Sequence, residues 1–355
     1  MRGLTSSKSA FKSLLLCTTL LGTPVSVINA QQAGDGNNYF LDSPDSSKFA
    51  VIMAGPTVGD ENKAKFRQWA FSLHDILARD YGYDSDSITL LFDRGENDGP
   101  GAERIDGAVD RQGIERHLAA LVAEAGTGDQ ISLFLIGHGS GEAEEAKFNI
   151  VGPDITGFEF AELLDQFEQQ DVVIVNTTSA SYGFSSSLSA EGRVVISSTR
   201  SPQEKYDPVF SRYFIEALDS RNGDRDKNNR VSMLEAFNYA KDNVEQFYEE
   251  QGRLAAEHAG LDDNGDSMFT LDPTIDEIDG RLAEIAYIDS LSIADENLSP
   301  RALQLKAEMQ ELERSVFILR GSKADYLEAD YWRQMEELLV NLARTTGQYN
   351  EQISQ

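Results

Sequence analysis

The chain has 355 residues, enough for one large α/β domain with an appended segment or for two modest domains. Its 60 acidic residues outnumber 31 basic ones and give a formal net charge of −29, which excludes DNA, RNA and anionic membrane surfaces as the main partner. An excess of carboxylates suits an exported protein and leaves oxygen ligands free to hold calcium.

The first 30 residues have the pattern of a secretory signal peptide. Arg2, Lys8 and Lys12 precede the apolar run LLLCTTLLGTPVSVINA, which ends at a small residue, Ala30. The run is short for a bilayer crossing and is interrupted by Thr, Gly and Pro. We therefore expect a secreted or periplasmic protein with no membrane span after cleavage, and a retained anchor is the alternative. Cys17 is the single cysteine, so the cleaved protein would have neither a disulfide nor a thiol nucleophile.

Beyond a polar leader at 31–48, short apolar segments alternate with amphipathic ones. The apolar segments are rich in β-branched residues and nearly continuous, which is typical of parallel strands buried on both faces. The amphipathic segments have helical periodicity, and Thr156 is placed to cap the third of them. This order predicts a three-layer α/β/α sandwich with a mostly parallel sheet, in which chemistry gathers at the carboxyl ends of the strands. The predicted strands are 49–55, 87–93, 130–139, 172–176 and 193–198, and the predicted helices are 61–82, 111–126 and 156–169.

The C-terminal part is predicted to be mainly helical, with a segment at 221–298 around an acidic loop and a helical hairpin at 299–355. In the hairpin, the spacing of apolar residues predicts two antiparallel helices joined at the sequence RGSK and packed along a coiled-coil-like seam. This C-terminal hairpin either packs on its own domain or forms a homodimer or binds a protein partner. The first stripe is Leu305, Met309, Leu312, Val316 and Leu319, and the second is Leu327, Tyr331, Leu338 and Leu342.

One of the four histidines stands out by its position. His138 lies in the sequence FLIGHGSGE, where a predicted buried strand breaks into a glycine-rich turn, whereas His74 and His117 lie within amphipathic helices. The flanking Gly137 and Gly139 allow backbone N–H groups to approach a ligand closely. A histidine in this setting suits a general base beside an oxyanion hole.

A loop of small hydroxyl-bearing residues follows the next predicted strand, in the sequence VVIVNTTSASYGF at 172–184. Thr177, Thr178, Ser179 and Ser181 are all candidates for a nucleophile. Consecutive parallel strands can bring this loop beside His138, and a base next to a hydroxyl group is the geometry of nucleophilic catalysis.

These two loops, followed by VVISSTRSPQEK, resemble the caspase–legumain superfamily of cysteine peptidases, and within it the bacterial legumain-like (haemoglobinase-type) branch. The resemblance covers about 49–218 and implies a caspase-like α/β domain at 49–220. It implies that His138 is the catalytic histidine and Gly139 the oxyanion glycine. It places Ser179 where the family has its nucleophilic cysteine.

Two further residues are candidates for substrate binding. Ser181 falls at a serine of the family's motif, and Glu204 follows the strand predicted at 193–198. Glu204 either lies near a substrate pocket or forms a surface ion pair with Lys205.

The serine at position 179 changes the expected chemistry. A thiol ionises in part at neutral pH, whereas a serine hydroxyl depends on a tightly bonded base that a carboxylate orients. The superfamily has no fixed acidic third member, so Ser179 would occupy a site that is not built to activate it. We expect a catalytically degenerate peptidase fold that binds peptide, and the alternative is an active hydrolase that uses Ser179 with His138.

Residues 224–235, DRDKNNRVSMLE, match the spacing of an EF-hand calcium loop, and we call them the acidic loop. Val231 fills the apolar eighth position. Asn229 replaces the usual glycine at the sixth position and tolerates the left-handed conformation required there. The expected Ca²⁺ ligands are Asp224, Asp226, Asn228, the carbonyl of Arg230, Ser232 and Glu235.

An unpaired loop of this kind is expected to bind calcium weakly, which suits millimolar extracellular calcium. A third hypothesis is therefore a calcium-dependent interaction protein that acts through its C-terminal hairpin. The sequence DDNGD offers Asp262, Asn264 and Asp266 at alternate positions, but Pro273 stands where a twelfth ligand belongs. This second stretch is either an extra acidic cluster or an exposed turn.

Overall fold

A computed structural model of the chain describes residues 39–41, 46–57, 59–96, 99–204, 208–274, 279–289 and 298–353. The predicted signal peptide with Cys17, much of the predicted leader, and Lys205 lie outside the described residues.

A six-stranded sheet forms the centre of the described structure. The strands are β1 (Lys48–Ala54), β2 (Ile88–Phe92), β3 (Gln130–Ile136), β4 (Gly139–Ser140), β5 (Lys147–Phe148), β6 (Ile155–Thr156), β7 (Asp171–Asn176), β8 (Arg193–Ser197) and β9 (Gly260–Asp262). The central sheet has the order β2-β1-β3-β7-β8-β9, and β4, β5 and β6 form a small antiparallel sheet. All pairings in the central sheet are parallel except that of the edge strand β9 with β8. The five predicted strands are confirmed to within a few residues.

Helices cover both faces of this sheet. They are α1 (Asp60–Asp80), α2 (Arg111–Glu124), α3 (Gly157–Leu164), α4 (Ser181–Ser186), α5 (Phe210–Leu218), α6 (Met233–Glu250), α7 (Arg281–Ile285), α8 (Pro300–Gly321) and α9 (Glu328–Ile353). Thr156 caps α3 as predicted, because its hydroxyl accepts from the Glu159 N–H while the Glu159 carboxylate accepts from the Thr156 N–H.

Alternate side chains of the buried strands enter two different cores. In β1, Ile52 packs in a core with α1, α5 and α6, whereas Val51 packs in a core with α2, α3 and α4. A strand without a solvated face must be apolar at every position, which explains the continuous apolar runs. The predicted three-layer α/β/α fold is thereby confirmed.

The C-terminal hairpin consists of α8 and α9 in antiparallel arrangement. Leu305 and Met309 near the start of α8 cluster with Tyr349 near the end of α9, and Val316 clusters with Tyr331 near its start. Phe317 reaches into the core on the α1, α5 and α6 side of the sheet, so the hairpin packs in part on its own domain. Leu327 was expected in the seam but is 77% exposed, because it precedes the first turn of α9.

Some elements were not predicted. Strand β9 is only three residues long, and its last residue, Asp262, is the first residue of the sequence DDNGD. The predicted strand 130–139 ends at Ile136, and its last residues form part of the small sheet. None of the helices in the described part of the chain combines the length and apolarity that a bilayer crossing requires.

Candidate functional site

The loops that carry His138 and Ser179 lie side by side, because they follow the paired parallel strands β3 and β7. We call this pair of loops the strand-end site. The N–H of Gly139 donates to the Ser179 hydroxyl at 3.1 Å, and that hydroxyl lies 3.4 Å from the Gly139 carbonyl oxygen. A Cβ atom on Gly139 would lie 2.6 Å from the Cβ of Ala180, so only glycine permits this approach.

Of the four candidate hydroxyls, three are buried and bonded within the protein. The Thr177 hydroxyl donates to the Leu135 carbonyl at 2.8 Å, and the Thr178 hydroxyl donates to the Asn176 side-chain oxygen at 2.8 Å. Ser181 is also buried, whereas Ser179 is partly exposed. Ser179 is therefore the hydroxyl of this loop that a solute can reach.

Ser181 ties the end of β7 to the end of β8. Its side chain is 0% exposed, and its oxygen accepts from the Thr199 N–H at 3.0 Å. It also lies 3.1 Å from the Ser198 hydroxyl and 2.8 Å from the Thr199 hydroxyl. A side chain without exposed surface cannot touch a substrate, so the structure gives Ser181 a positioning role in place of the expected substrate contact.

The contacts described for His138 do not include the Ser179 hydroxyl. Its carbonyl accepts from the Asn149 N–H at 3.1 Å, and its ring lies 5.2 Å from the Phe66 ring. Among the described residues, the bonds of the Ser179 hydroxyl go to Gly139 and not to the His138 imidazole. A general base acts within hydrogen-bond reach of its proton or through one water.

A small recess of about 10 Å³ borders the strand-end site and is lined by Ala180, Tyr182 and Thr199 among others. Roughly 10–15 Å³ holds a single water molecule. Neither Ser179 nor His138 lines this recess.

Glu204 is buried and fastens the loop after β8. Its carboxylate accepts from the N–H groups of Arg200 and His258, each at 3.0 Å, and lies 2.6 Å from the His258 ring nitrogen Nδ1. These bonds join Glu204 to the segment before β9. The described contacts of Glu204 are therefore structural and buried. The ion pair expected with Lys205 involves a residue outside the described part of the chain.

The acidic loop brings three carboxylates together. One oxygen from each of Asp224, Asp226 and Glu235 lies within 4.8 Å of the others. Asn229 has a φ of 66°, which confirms the left-handed conformation expected at the sixth position of the loop. The exit helix α6 begins where an EF-hand requires it, with Ser232 as N-cap and Glu235 in its first turn.

The donors to these carboxylates come from the acidic loop itself, and they leave one carboxylate oxygen without a partner. Oδ2 of Asp224 accepts from the Asn229 N–H at 3.0 Å, while its Oδ1 is buried and accepts no hydrogen bond from any described residue. Loss of hydration, together with the nearby Glu235 charge, raises the pKa of Asp226 to about 7. A buried carboxylate oxygen without a donor is unfavourable, and it makes the acidic loop a candidate cation site.

Two residues from distant parts of the sequence complete this region. The Asn228 amide donates to the Tyr287 hydroxyl at 3.3 Å and to Glu313 of α8 at 3.2 Å. Burial raises the pKa of Glu313 to about 7, against the effect of the Arg230 charge. Sequence reasoning missed both residues because they lie 59 and 85 positions from Asn228 and belong to no local motif.

The acidic loop also pairs with a neighbouring segment. The N–H of Ile288 donates to the Val231 carbonyl at 3.1 Å, and the N–H of Met233 donates to the Ala286 carbonyl at 3.0 Å. The side chain of Arg230 is bound to Asp289 at 2.9 and 3.0 Å. The eighth position of the loop is therefore held by backbone pairing, although a second EF-hand is not the partner.

The second acidic stretch forms a turn. The carboxylate of Asp262 accepts from the Gly265 N–H at 2.9 Å and from the Ser189 hydroxyl at 2.6 Å. The side chains of Asn264 and Asp266 each accept from backbone N–H groups of the same turn at 2.8 Å. Among the described residues, the three metal-ligating side chains that lie close enough to share one ion are Asp224, Asp226 and Glu235, which belong to the acidic loop and not to this turn.

A cavity of about 690 Å³ lies between the acidic loop, α7 and the C-terminal hairpin. The acidic loop lines it with Asp226 and Glu235, and the hairpin lines it with Glu313 and apolar side chains. Cavities of roughly 300–1,000 Å³ hold small ligands in proteins.

No family model matches the chain, and no curated protein is similar to it. Among solved structures, the chain is similar to protein GSU0716 from Geobacter sulfurreducens at 12% sequence identity, with a TM-score of 0.40. The similarity covers 64% of this chain and 95% of that one.

Proposed function

We propose that this protein is an exported, caspase/legumain-like protein that binds calcium through its acidic loop and no longer hydrolyses peptides. The observation that carries the proposal is the meeting of the Asp224, Asp226 and Glu235 carboxylates within 4.8 Å of one another. The orphaned Oδ1 of Asp224 adds to it. Hard cations such as Ca²⁺ take six to eight oxygen ligands, and this loop offers carboxylate, amide and carbonyl oxygens at the required spacing.

The loss of peptidase activity is supported by the strand-end site. The Ser179 hydroxyl is bonded to Gly139, and among the described residues no hydrogen bond joins it to the His138 imidazole. A serine whose hydroxyl is not hydrogen-bonded to a base is a weak nucleophile.

An active serine hydrolase is the second candidate function. The favouring observation is that the Gly139 N–H already points at the Ser179 hydroxyl, close to where an oxyanion would develop. A shift of the His138 ring toward Ser179 on substrate binding would complete the pair, since such bonds tighten in the substrate complex.

The calcium proposal is tested by thermal unfolding of the exported protein in calcium and in EGTA. With a dissociation constant on the order of 10⁻⁴ M, about 10 mM calcium stabilises the fold by roughly 2.7 kcal/mol. Glu235→Gln is expected to remove this calcium-dependent increment. Glu245→Gln, an exposed carboxylate on the same helix, is the control and keeps it. Equal melting temperatures of the unmutated protein with and without calcium would refute the proposal.

The loss of peptidase activity is tested separately with a fluorogenic peptide library. We expect no turnover above background, and no change in Ser179→Ala or His138→Ala. Turnover that disappears in both variants would establish the serine hydrolase.

A further inference from the structure

We infer that the cavity between the acidic loop and the C-terminal hairpin binds a small organic cation with an apolar body, such as an alkyl amine. This inference goes beyond calcium binding and does not depend on it. It rests on the lining of the cavity and on its charge.

The cavity is lined by both apolar groups and carboxylates. Phe317 and Val316 of α8, Leu342 of α9 and Leu234 of α6 supply the apolar lining. Asp226, Glu235 and Glu313 supply carboxylates. Its volume of about 690 Å³ suits a small molecule and is too small for a docked helix.

Two of the three basic residues that line the cavity, Arg320 and Arg225, are paired with acidic residues. Arg320 is bound to Glu284 at 2.5 Å, and Arg225 is bound to Asp242 outside the cavity. Lys227 borders the cavity but is exposed to solvent. Glu313 has the Asn228 amide as its hydrogen-bond donor and no ion-pair partner among the described residues.

Calcium would not neutralise this wall. One Ca²⁺ compensates two of the three negative charges of Asp224, Asp226 and Glu235, and the charge of Glu313 remains. A carboxylate at the edge of an apolar cavity is stabilised most by a cation that brings its own apolar surface. Fatty acids and phosphorylated ligands are disfavoured by the same charges.

Gly347 borders the cavity on its open, solvent-exposed side. It lies six residues before the end of α9. A Cβ atom at this position would meet no atom within 4 Å, and its backbone does not adopt the left-handed conformation. A larger side chain therefore fits at position 347 without a clash, which makes it a suitable position for a substitution that blocks the cavity.

The test measures binding of three probes of equal chain length, 1-octylamine, octanoate and 1-octanol, to the exported protein by calorimetry. We expect octylamine to bind, octanol to bind more weakly, and octanoate not to bind. Glu313→Gln is expected to weaken the binding of octylamine about tenfold and to leave the binding of octanol unchanged. Glu311→Gln, an exposed carboxylate on the same helix, is the matched control.

A second variant separates the cavity from the surface. Gly347→Leu places a large side chain in the cavity and is expected to abolish binding of both octylamine and octanol. Gln348→Leu, at an exposed position of α9, is expected to leave the binding of both probes intact. Octanoate binding as tightly as octylamine, or unchanged octylamine binding in Gly347→Leu, would overturn the inference. Titrations in calcium and in EGTA keep the two proposals apart, because failure of calcium to stabilise the protein leaves the Gly347→Leu result valid.

Discussion

The strand-end site and the acidic loop differ in how far the protein satisfies its own polar groups. At the strand-end site, the hydroxyls of Thr177, Thr178, Ser179 and Ser181 are all bonded within the protein, and the adjacent recess measures about 10 Å³. In the acidic loop, carboxylates crowd together, and Oδ1 of Asp224 is buried with no donor among the described residues. Buried polar groups in native proteins are nearly always bonded, and an unbonded one costs free energy that a bound cation would offset at this carboxylate. The comparison supports the proposal that the acidic loop, and not the strand-end site, is the binding region.

Two glycines give the largest expected contrast between these regions. Gly139→Ala would force its Cβ to within 2.6 Å of the Ala180 Cβ, which we expect to cost about 1–3 kcal/mol of stability. Gly347→Ala meets no atom within 4 Å and is expected to stabilise α9 by about 1 kcal/mol. Urea unfolding of both variants measures the difference. Equal effects of the two substitutions would mean that the strand-end site is not tightly closed.

Two serines of one loop sharpen the comparison within the strand-end site. Ser181→Ala leaves the Thr199 N–H and two hydroxyls without their shared partner, and we expect a loss of about 1–3 kcal/mol. Ser179→Ala removes a partly exposed hydroxyl bonded only to Gly139, with an expected cost within about 1 kcal/mol. Chemical denaturation gives both values. A larger loss of stability in Ser179→Ala than in Ser181→Ala would contradict the structural role that we give to Ser181.

The local sequence was sufficient to predict the sheet and the acidic loop. Continuous apolar runs such as the one containing Val51 are required in a strand buried on both faces, and Thr156 with Glu159 carries its capping signal within four residues. In the acidic loop, the motif spacing predicted that the Asp224, Asp226 and Glu235 carboxylates lie close together and that Asn229 has a positive φ. Calcium coordination by these residues and by Asn228, Arg230 and Ser232 stays a prediction.

What the sequence did not predict depends on contacts between distant residues. Ser181 was placed by its motif, but its burial is decided by Ser198 and Thr199 on the next strand. Glu313 and Tyr287 join the acidic loop through tertiary packing alone, and no local pattern marks either of them. Leu327 matched the apolar period of the hairpin yet is exposed, because periodicity does not specify where a helix starts.

The smallest expected effect is on the pH dependence of stability, and it tests whether the carboxylates of the acidic loop are uncompensated in the absence of calcium. The pKa of Asp226 is raised from 3.8 to about 7 by loss of hydration and then by the Glu235 charge. Between about pH 4 and 7 the folded protein therefore holds a proton that the unfolded chain has released. The contribution of Asp226 to stability without calcium is therefore lost as the pH rises through this window.

Calcium competes with that proton, so the stabilisation by calcium must grow over the same pH range. We expect Asp226→Asn in EGTA to lose less stability than the unmutated protein between pH 4 and 7, and Glu245→Gln to behave like the unmutated protein. Melting temperatures from pH 4 to 8, with and without calcium, provide the measurement. Because other carboxyls such as Asp263 also have a raised pKa, the difference between the variant and the unmutated protein is the informative quantity. If the stability difference between Asp226→Asn and the unmutated protein does not change between pH 4 and 7, the Asp226 charge is already compensated within the protein. The polar groups of the acidic loop would then be satisfied internally, like those of the strand-end site.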